Sequence, residues 1–159
     1  PFNTSLVDER FFTEAMESNT LSYSEVCFLQ AEAAMHGWGG SQQERYEAGV
    51  SASMAYFGVN QTDIDGYLAG NGAFNGSLEQ IITEKWIGFQ YRDGFEPFAE
   101  YRRTGFPKLL DDDGTEIDLN TFPQRLPYPE SEILFNGVNV SAVGEGINET
   151  STKVWWAGG

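Results

Sequence analysis

The sequence predicts a mainly α fold: tetratricopeptide-like helix pairs with an irregular, loop-rich C-terminal tail. Three observations carry that expectation. Residues 23–57 read as two helices joined by a Gly37-Trp38-Gly39-Gly40 corner. Ser22, Ser41 and Ser77 each stand three residues ahead of a Glu or Gln (Glu25, Glu44, Gln80), the capping-box spacing of a helix start. Beyond Gly105 the chain turns rich in Pro, Gly, Asn and Asp, which favour turns over helix. An antiparallel helix pair is the repeat unit of tetratricopeptide-like folds.

In chain order, residues 1–22 read as an extended arrival segment, with a short helical turn within "DERFFTEAMESNT". In the first predicted helix, about 100° per residue puts Glu25, Phe28, Leu29, Glu32 and His36 on one face. Cys27, Ala31 and Ala34 lie opposite, small enough for a neighbouring backbone to approach, so the helix is expected to pack on more than one side. The second predicted helix carries the stripe Tyr46, Val50, Ser53, Met54 and Phe57. Residues 58–76 read as glycine-rich loop with one helical turn around Ile64 to Leu68. The third predicted helix follows Ser77, with the stripe Leu78, Ile81, Ile82, Trp86 and Phe89. Asp93 and Glu96 box the start of the fourth, Pro97 fits its first turn, and Gly105 and Pro107 end it. "LLDDDGTEID" fits a hairpin around Asp113-Gly114. The prolines of "FPQRLPYPESE" oppose helix and favour an extended strap. Residues 136–152 are read as mobile.

The charges pose a problem inside this scaffold. Glu25 and Glu32 either reach solvent or are buried, and an unpaired buried charge costs several kcal/mol. Lys85 sits among Ile81, Ile82 and Trp86, where it either snorkels to water or meets an acid. Arg102 falls on the Phe95/Phe98 side of the fourth helix, with Arg103 beside it. The simplest resolution pairs Lys85 or Arg102 with Glu25 or Glu32.

The length of 159 residues suits one domain, 1–159, with a helical scaffold over 22–104 and a turn-rich tail over 105–159. The net charge of −15 argues against a nucleic-acid partner, which needs clustered Lys and Arg. No apolar run approaches the roughly 18 residues of a membrane span. Cys27, the single cysteine, fits an inert buried thiol. With one His and one Cys, no cofactor or zinc site is expected. "DDDGTEIDLNTF" fails as a calcium loop, because Glu116 replaces the invariant glycine and Phe122 the bidentate glutamate. His36 fits a helix C-terminus better than a catalytic base. Glycosidases need two acids about 5–9.5 Å apart, whereas Glu25 and Glu32 stand about 10 Å apart along one helix, which favours a structural role. Aromatic residues offer flat apolar area for a sugar ring. Trp38, Tyr67 and Phe74 are the tentative glycan contacts, and Trp155 and Trp156 are equally unconstrained. Trp86 is read as core.

Six stretches occur in order: "YSEVCFLQAEAAMHGW", "YEAGVSASMAYFGV", "ITEKWIGF", "EYRRTGFPKL", "RLPYPESE" and "KVWW". Over residues 10–156 the chain resembles the C-terminal half of SusD/RagB-like proteins. One departure is Glu84, where many relatives carry glutamine before the lysine. The resemblance implies a surface-exposed, lipid-anchored glycan-binding protein of the Bacteroidetes outer membrane, not an enzyme. It would capture oligosaccharides and pass them to a SusC-like TonB-dependent transporter. The lipid anchor and much of the scaffold would lie upstream, in a protein roughly three times this length. Two other readings stand beside it. A helical-repeat scaffold for a protein or peptide would show a long concave groove, and a carbohydrate-active enzyme would show two facing acids. A flat aromatic platform with adjacent amides would favour glycan capture.

Overall fold

The computed structural model describes residues 7, 9–14, 19–118, 122–143 and 149–155. The chain divides into two compact units after Pro107. The first holds a 3-10 turn, Glu9–Phe12, then α1 (Tyr23–Met35), α2 (Gln42–Tyr56), α3 (Gln61–Ala69), α4 (Leu78–Gly88) and α5 (Phe95–Thr104). The second holds a turn and two short helices, α6 (Glu130–Phe135) and α7 (Gly137–Ala142).

The helix ends follow from local chemistry. Ser22 Oγ accepts the Glu25 N–H at 3.2 Å, and the Glu25 carboxylate accepts the Ser22 N–H at 3.5 Å. At the other end of α1, Gly37 donates to Ala34 O and Trp38 to Ala33 O. That is the Schellman pattern, and it requires the left-handed backbone that Gly37 adopts at φ 81°. The same pattern recurs after α2, where Gly58 donates to Ala55 O and Val59 to Met54 O. Ser41, Asn60 and Ser77 cap α2, α3 and α4. Asp93 Oδ1 accepts the Phe95 and Glu96 N–H groups, so it caps the first turn of α5 although Gly94 holds the cap position.

α3 is longer than the single turn the sequence implied. Asn60 Oδ1 accepts the Asp63 N–H while Asn60 Nδ2 donates to Asp63 Oδ2, a reciprocal cap that offsets Gly66 in the helix interior.

The buried side of α1 is Ser24, Cys27, Phe28, Ala31 and Glu32, a spacing of three and four. Phe28 and Glu32 therefore share the small-residue side that the helical projection had set opposite them. That side packs on both α2 and α4. Tyr46, Gly49, Val50 and Ser53 form the buried side of α2, and Ile81, Ile82, Lys85 and Gly88 that of α4. Phe28, Ala31, Tyr46, Val50 and Ile81 make the core, with Met35, Met54, Tyr67, Leu68 and Phe74 packed around it.

In the second unit Asp111 Oδ1 accepts the Asp113 and Thr115 N–H groups, and Gly114 takes φ 85°. Leu110 and Glu116 then form an antiparallel bridge. The turn expected at Asp113-Gly114 is present. Residues 136–152, read as mobile, include α7. Asn136 ends α6 and begins α7, so two short helices follow the proline strap. Trp156 lies outside the described residues.

A Cβ added at Gly49 would lie 2.9 Å from the Phe28 ring, whereas one added at Gly66 meets open space. Gly49→Ala should destabilise the protein by about 1–3 kcal/mol through overpacking, against its gain in helix propensity. Gly66→Ala should stabilise it by about 0.4–1 kcal/mol. Urea melts of both variants check this; a stabilising Gly49→Ala would contradict the close approach.

Candidate functional site

Four charged side chains meet between α1, α4 and α5. Lys85, 3% exposed, donates to Glu100 Oε1 at 3.0 Å. The other oxygen of Glu100 accepts from Arg103 Nη2 at 2.7 Å. Arg103 in turn forks onto Glu32, at 2.6 Å and 2.9 Å. The set contains two cations and two anions, so the buried Lys85, Glu100 and Glu32 are balanced by the half-exposed Arg103 at their edge. The Glu32 and Glu100 carboxylates hold the Arg103 guanidinium well above its ordinary pKa.

The expected pairs of Lys85 or Arg102 with Glu25 or Glu32 are replaced by others. Lys85 meets Glu100, and Glu32 meets Arg103. Glu25 is half-buried and closes its own helix cap. Arg102 lies over the Phe98 ring at 5.2 Å, with its Nε buried and without a hydrogen-bond partner. The i, i+3 spacing of Glu100 and Arg103 is the signal that finds the real network. Two acids on different helices converge on Arg103, which neither helix shows alone.

Three residues read as glycan contacts separate clearly. Trp38 is 82% exposed on the glycine corner. Tyr67 and Phe74 are instead drawn onto the core. The Tyr67 ring lies against Gly72, where any Cβ would collide with it, and its hydroxyl donates to Glu84 at 2.5 Å. Phe74 packs on Tyr46 with ring centroids 4.9 Å apart, and Tyr46 donates to Gly72 O. Gly72 lets the Tyr67 ring settle on bare backbone, and Phe74 covers Tyr46, so the loop is less open than its composition implies. Burial and the bond to Glu84 push the Tyr67 hydroxyl up to about 12. Burial also raises the Glu84 carboxyl, and the Tyr67 bond partly opposes it.

An open aromatic groove lies at the corner between α4 and α5. A groove of about 260 Å³ is lined by Trp86, Phe89, Gln90, Tyr91, Asp93 and Pro97, among others. Trp86 is 38% exposed and Tyr91 51%, so Trp86 borders the core and is not enclosed by it. Tyr91 adopts φ 61°, a left-handed conformation costly for a bulky residue. Phe11 packs on its ring at 5.1 Å. Arg92 holds the turn by donating to Gly88 O at the end of α4. Asp93 is the one carboxylate lining the groove among the described residues, and its Oδ1 is occupied by the α5 cap.

A second cavity of about 210 Å³ opens beside α2 and α4, lined by Ser53, Met54, Phe57, Glu84, Ile87 and Gln90, among others. Among the described residues no cluster of three or more potential metal ligands forms. No helix among them is long and apolar enough to cross a membrane.

The family model described as "Starch-binding associating with outer membrane", SusD-like, matches residues 2–129. The chain belongs to the SusD-like family. Solved SusD-like structures agree. A Bacteroidetes SusD-like protein is 29% identical, with TM-score 0.69 over 86% of this chain and 30% of its own. A SusD homologue from Bacteroides fragilis is 28% identical, with TM-score 0.69 over 94% of this chain and 38% of its own. One from Bacteroides thetaiotaomicron is 29% identical, with TM-score 0.67 over 86% and 38%. This SusD-like chain thus spans about a third of the length of those structures. No curated protein matches it.

Two substitutions probe the charges. Lys85→Met leaves two carboxylates facing one guanidinium and should cost about 3–5 kcal/mol. Lys85→Met with Glu100→Met leaves the neutral Arg103–Glu32 pair and should recover much of that loss. Additive losses in denaturant melts would contradict the network. For Glu84, a raised carboxyl means that the folded state binds more protons than the unfolded between the ordinary and the raised value. Its contribution to stability therefore falls as pH rises through that window. Glu84→Gln keeps an acceptor for Tyr67, so it should be more stable than the parent at about pH 7, with the gap closing towards about pH 4. Melts at the two pH values check the sign.

Proposed function

We propose that this SusD-like chain takes part in capturing oligosaccharides at the bacterial outer-membrane surface without cleaving them. The observation that carries the reading is the α4–α5 groove. Trp86 and Tyr91 offer flat apolar area, and the Gln90 amide and the Asp93 carboxylate stand beside it. A sugar ring has both kinds of surface, an apolar face and a rim of hydroxyls. The family description, which names starch binding and outer-membrane association, supports the same chemistry.

Glycoside cleavage needs two carboxylates across one bond; among the described residues one carboxylate lines the groove, Asp93, with one oxygen committed to a helix cap. Capture followed by hand-over fits better. In the full-length protein a lipid anchor would hold it at the cell surface, and a SusC-like TonB-dependent transporter would receive the glycan. Trp38, exposed just past the C-terminal end of α1, is a further candidate contact.

The test is binding of maltooligosaccharides by calorimetry, with chromatography of the sugar recovered afterwards. The sugar should bind and return intact, and Trp86→Ala should weaken binding at least about tenfold, or roughly 1.4 kcal/mol. Shortened products, or unchanged affinity in Trp86→Ala, would contradict the reading.

A further inference from the structure

Two cavities of the first unit share one side chain. Gln90 lines the Trp86/Tyr91 groove on one side and the Glu84 cavity on the other. It stands just past the end of α4, exposed, between two depressions of similar volume. The second depression combines an apolar wall of Met54, Phe57 and Ile87 with the polar groups of Ser53 and Glu84. That mixture matches what a pyranose presents as closely as the first does. Among the described residues neither lining includes a Lys or Arg and each includes one carboxylate, and the chain carries a net charge of −15. An anionic ligand would meet repulsion in both places and a partner in neither.

We propose that the Glu84 cavity is a second sugar subsite, contiguous with the Trp86/Tyr91 groove across Gln90, and that the pair selects neutral oligosaccharides of two or more units. The proposal rests on the glycan-capture reading and deepens it. Gln90 has an amide that both donates and accepts, so it can bond hydroxyls of two successive sugars. The Glu84 carboxylate accepts sugar hydroxyls in the second subsite, oriented by the Tyr67 hydroxyl that donates to it. Specificity then comes from hydroxyl pairing within half-apolar walls, and acidic glycans are rejected by charge.

Ile87 gives a selective test. It lines the second cavity and not the groove, and it is 44% exposed, so a larger side chain fills the cavity without entering the core. Affinities are measured by calorimetry or saturation-transfer NMR for the neutral pairs glucose/maltose, xylose/xylobiose and mannose/mannobiose, and for digalacturonate. The parent should bind at least one disaccharide at least fivefold tighter than its monosaccharide, and digalacturonate weakest of all. Ile87→Trp should bring that disaccharide down towards the affinity of the monosaccharide, which keeps the Trp86/Tyr91 groove as a site. Gln90→Ala should weaken the disaccharide more than the monosaccharide. Equal affinity for both members of every pair, with binding still sensitive to Trp86→Ala, would overturn the second subsite and leave glycan capture standing. Digalacturonate binding as tight as the neutral disaccharides would overturn the charge selection. Absence of any sugar binding to the parent would overturn both this proposal and the reading beneath it.

Discussion

The balanced charge set of Glu32, Arg103, Glu100 and Lys85 is the constraint around which the first unit is arranged. Lys85 is buried among apolar neighbours on α4, and a lone ammonium there would be strongly destabilising. Glu100 meets it from α5, and Arg103, one turn on, carries the connection to Glu32 on α1. Three helices are thereby fixed by directional bonds where apolar packing alone would tolerate sliding. A buried ion pair need not exceed a hydrophobic replacement in stability. What it supplies here is a defined relation between α4 and α5, and the Trp86/Tyr91 groove lies at the corner those two helices make.

The geometry of that corner follows in steps. α4 stops at Gly88, whose lack of a side chain lets it approach Ser53 on α2, with an added Cβ only 3.0 Å from Ser53 Oγ. The chain then turns through Tyr91 in a left-handed conformation, held by Phe11 on its ring and by Arg92 on the helix terminus. Asp93 starts α5. Each of these contacts leaves Trp86, Gln90 and Tyr91 facing outward. The family assignment says what kind of protein this is, and the corner is where we propose that its chemistry sits.

Much of the scaffold was legible because helix ends are local. A hydroxyl before α1, α2 and α4 and a glycine after α1 and α2 are readable from a few residues, and the structure places caps there. α3 was obscured by Gly66 and by a cap made from Asn60 and Asp63, a less familiar pair than Ser with Glu. The need for buried ion pairing was legible from Lys85 on an apolar stripe. The partners were not, because choosing Arg103 over Arg102 depends on a 100° rotation that only the packed neighbours decide. The aromatic residues misled in a consistent way. Tyr67 on α3 packs onto the backbone of Gly72 and Phe74 onto the Tyr46 ring, while Trp86, in an apolar stripe, borders the surface. Sequence spacing shows that a helix has a buried side; where that side ends is set by its neighbours.

The central claim is that the α4–α5 corner is where this SusD-like chain meets a glycan. A crystal structure of the protein grown with a bound oligosaccharide tests it most directly. The account predicts a sugar ring across Trp86 and Tyr91, with hydroxyls within hydrogen-bonding distance of Gln90. A sugar bound elsewhere on the surface, such as the Trp38 corner, with the α4–α5 groove empty, would contradict it.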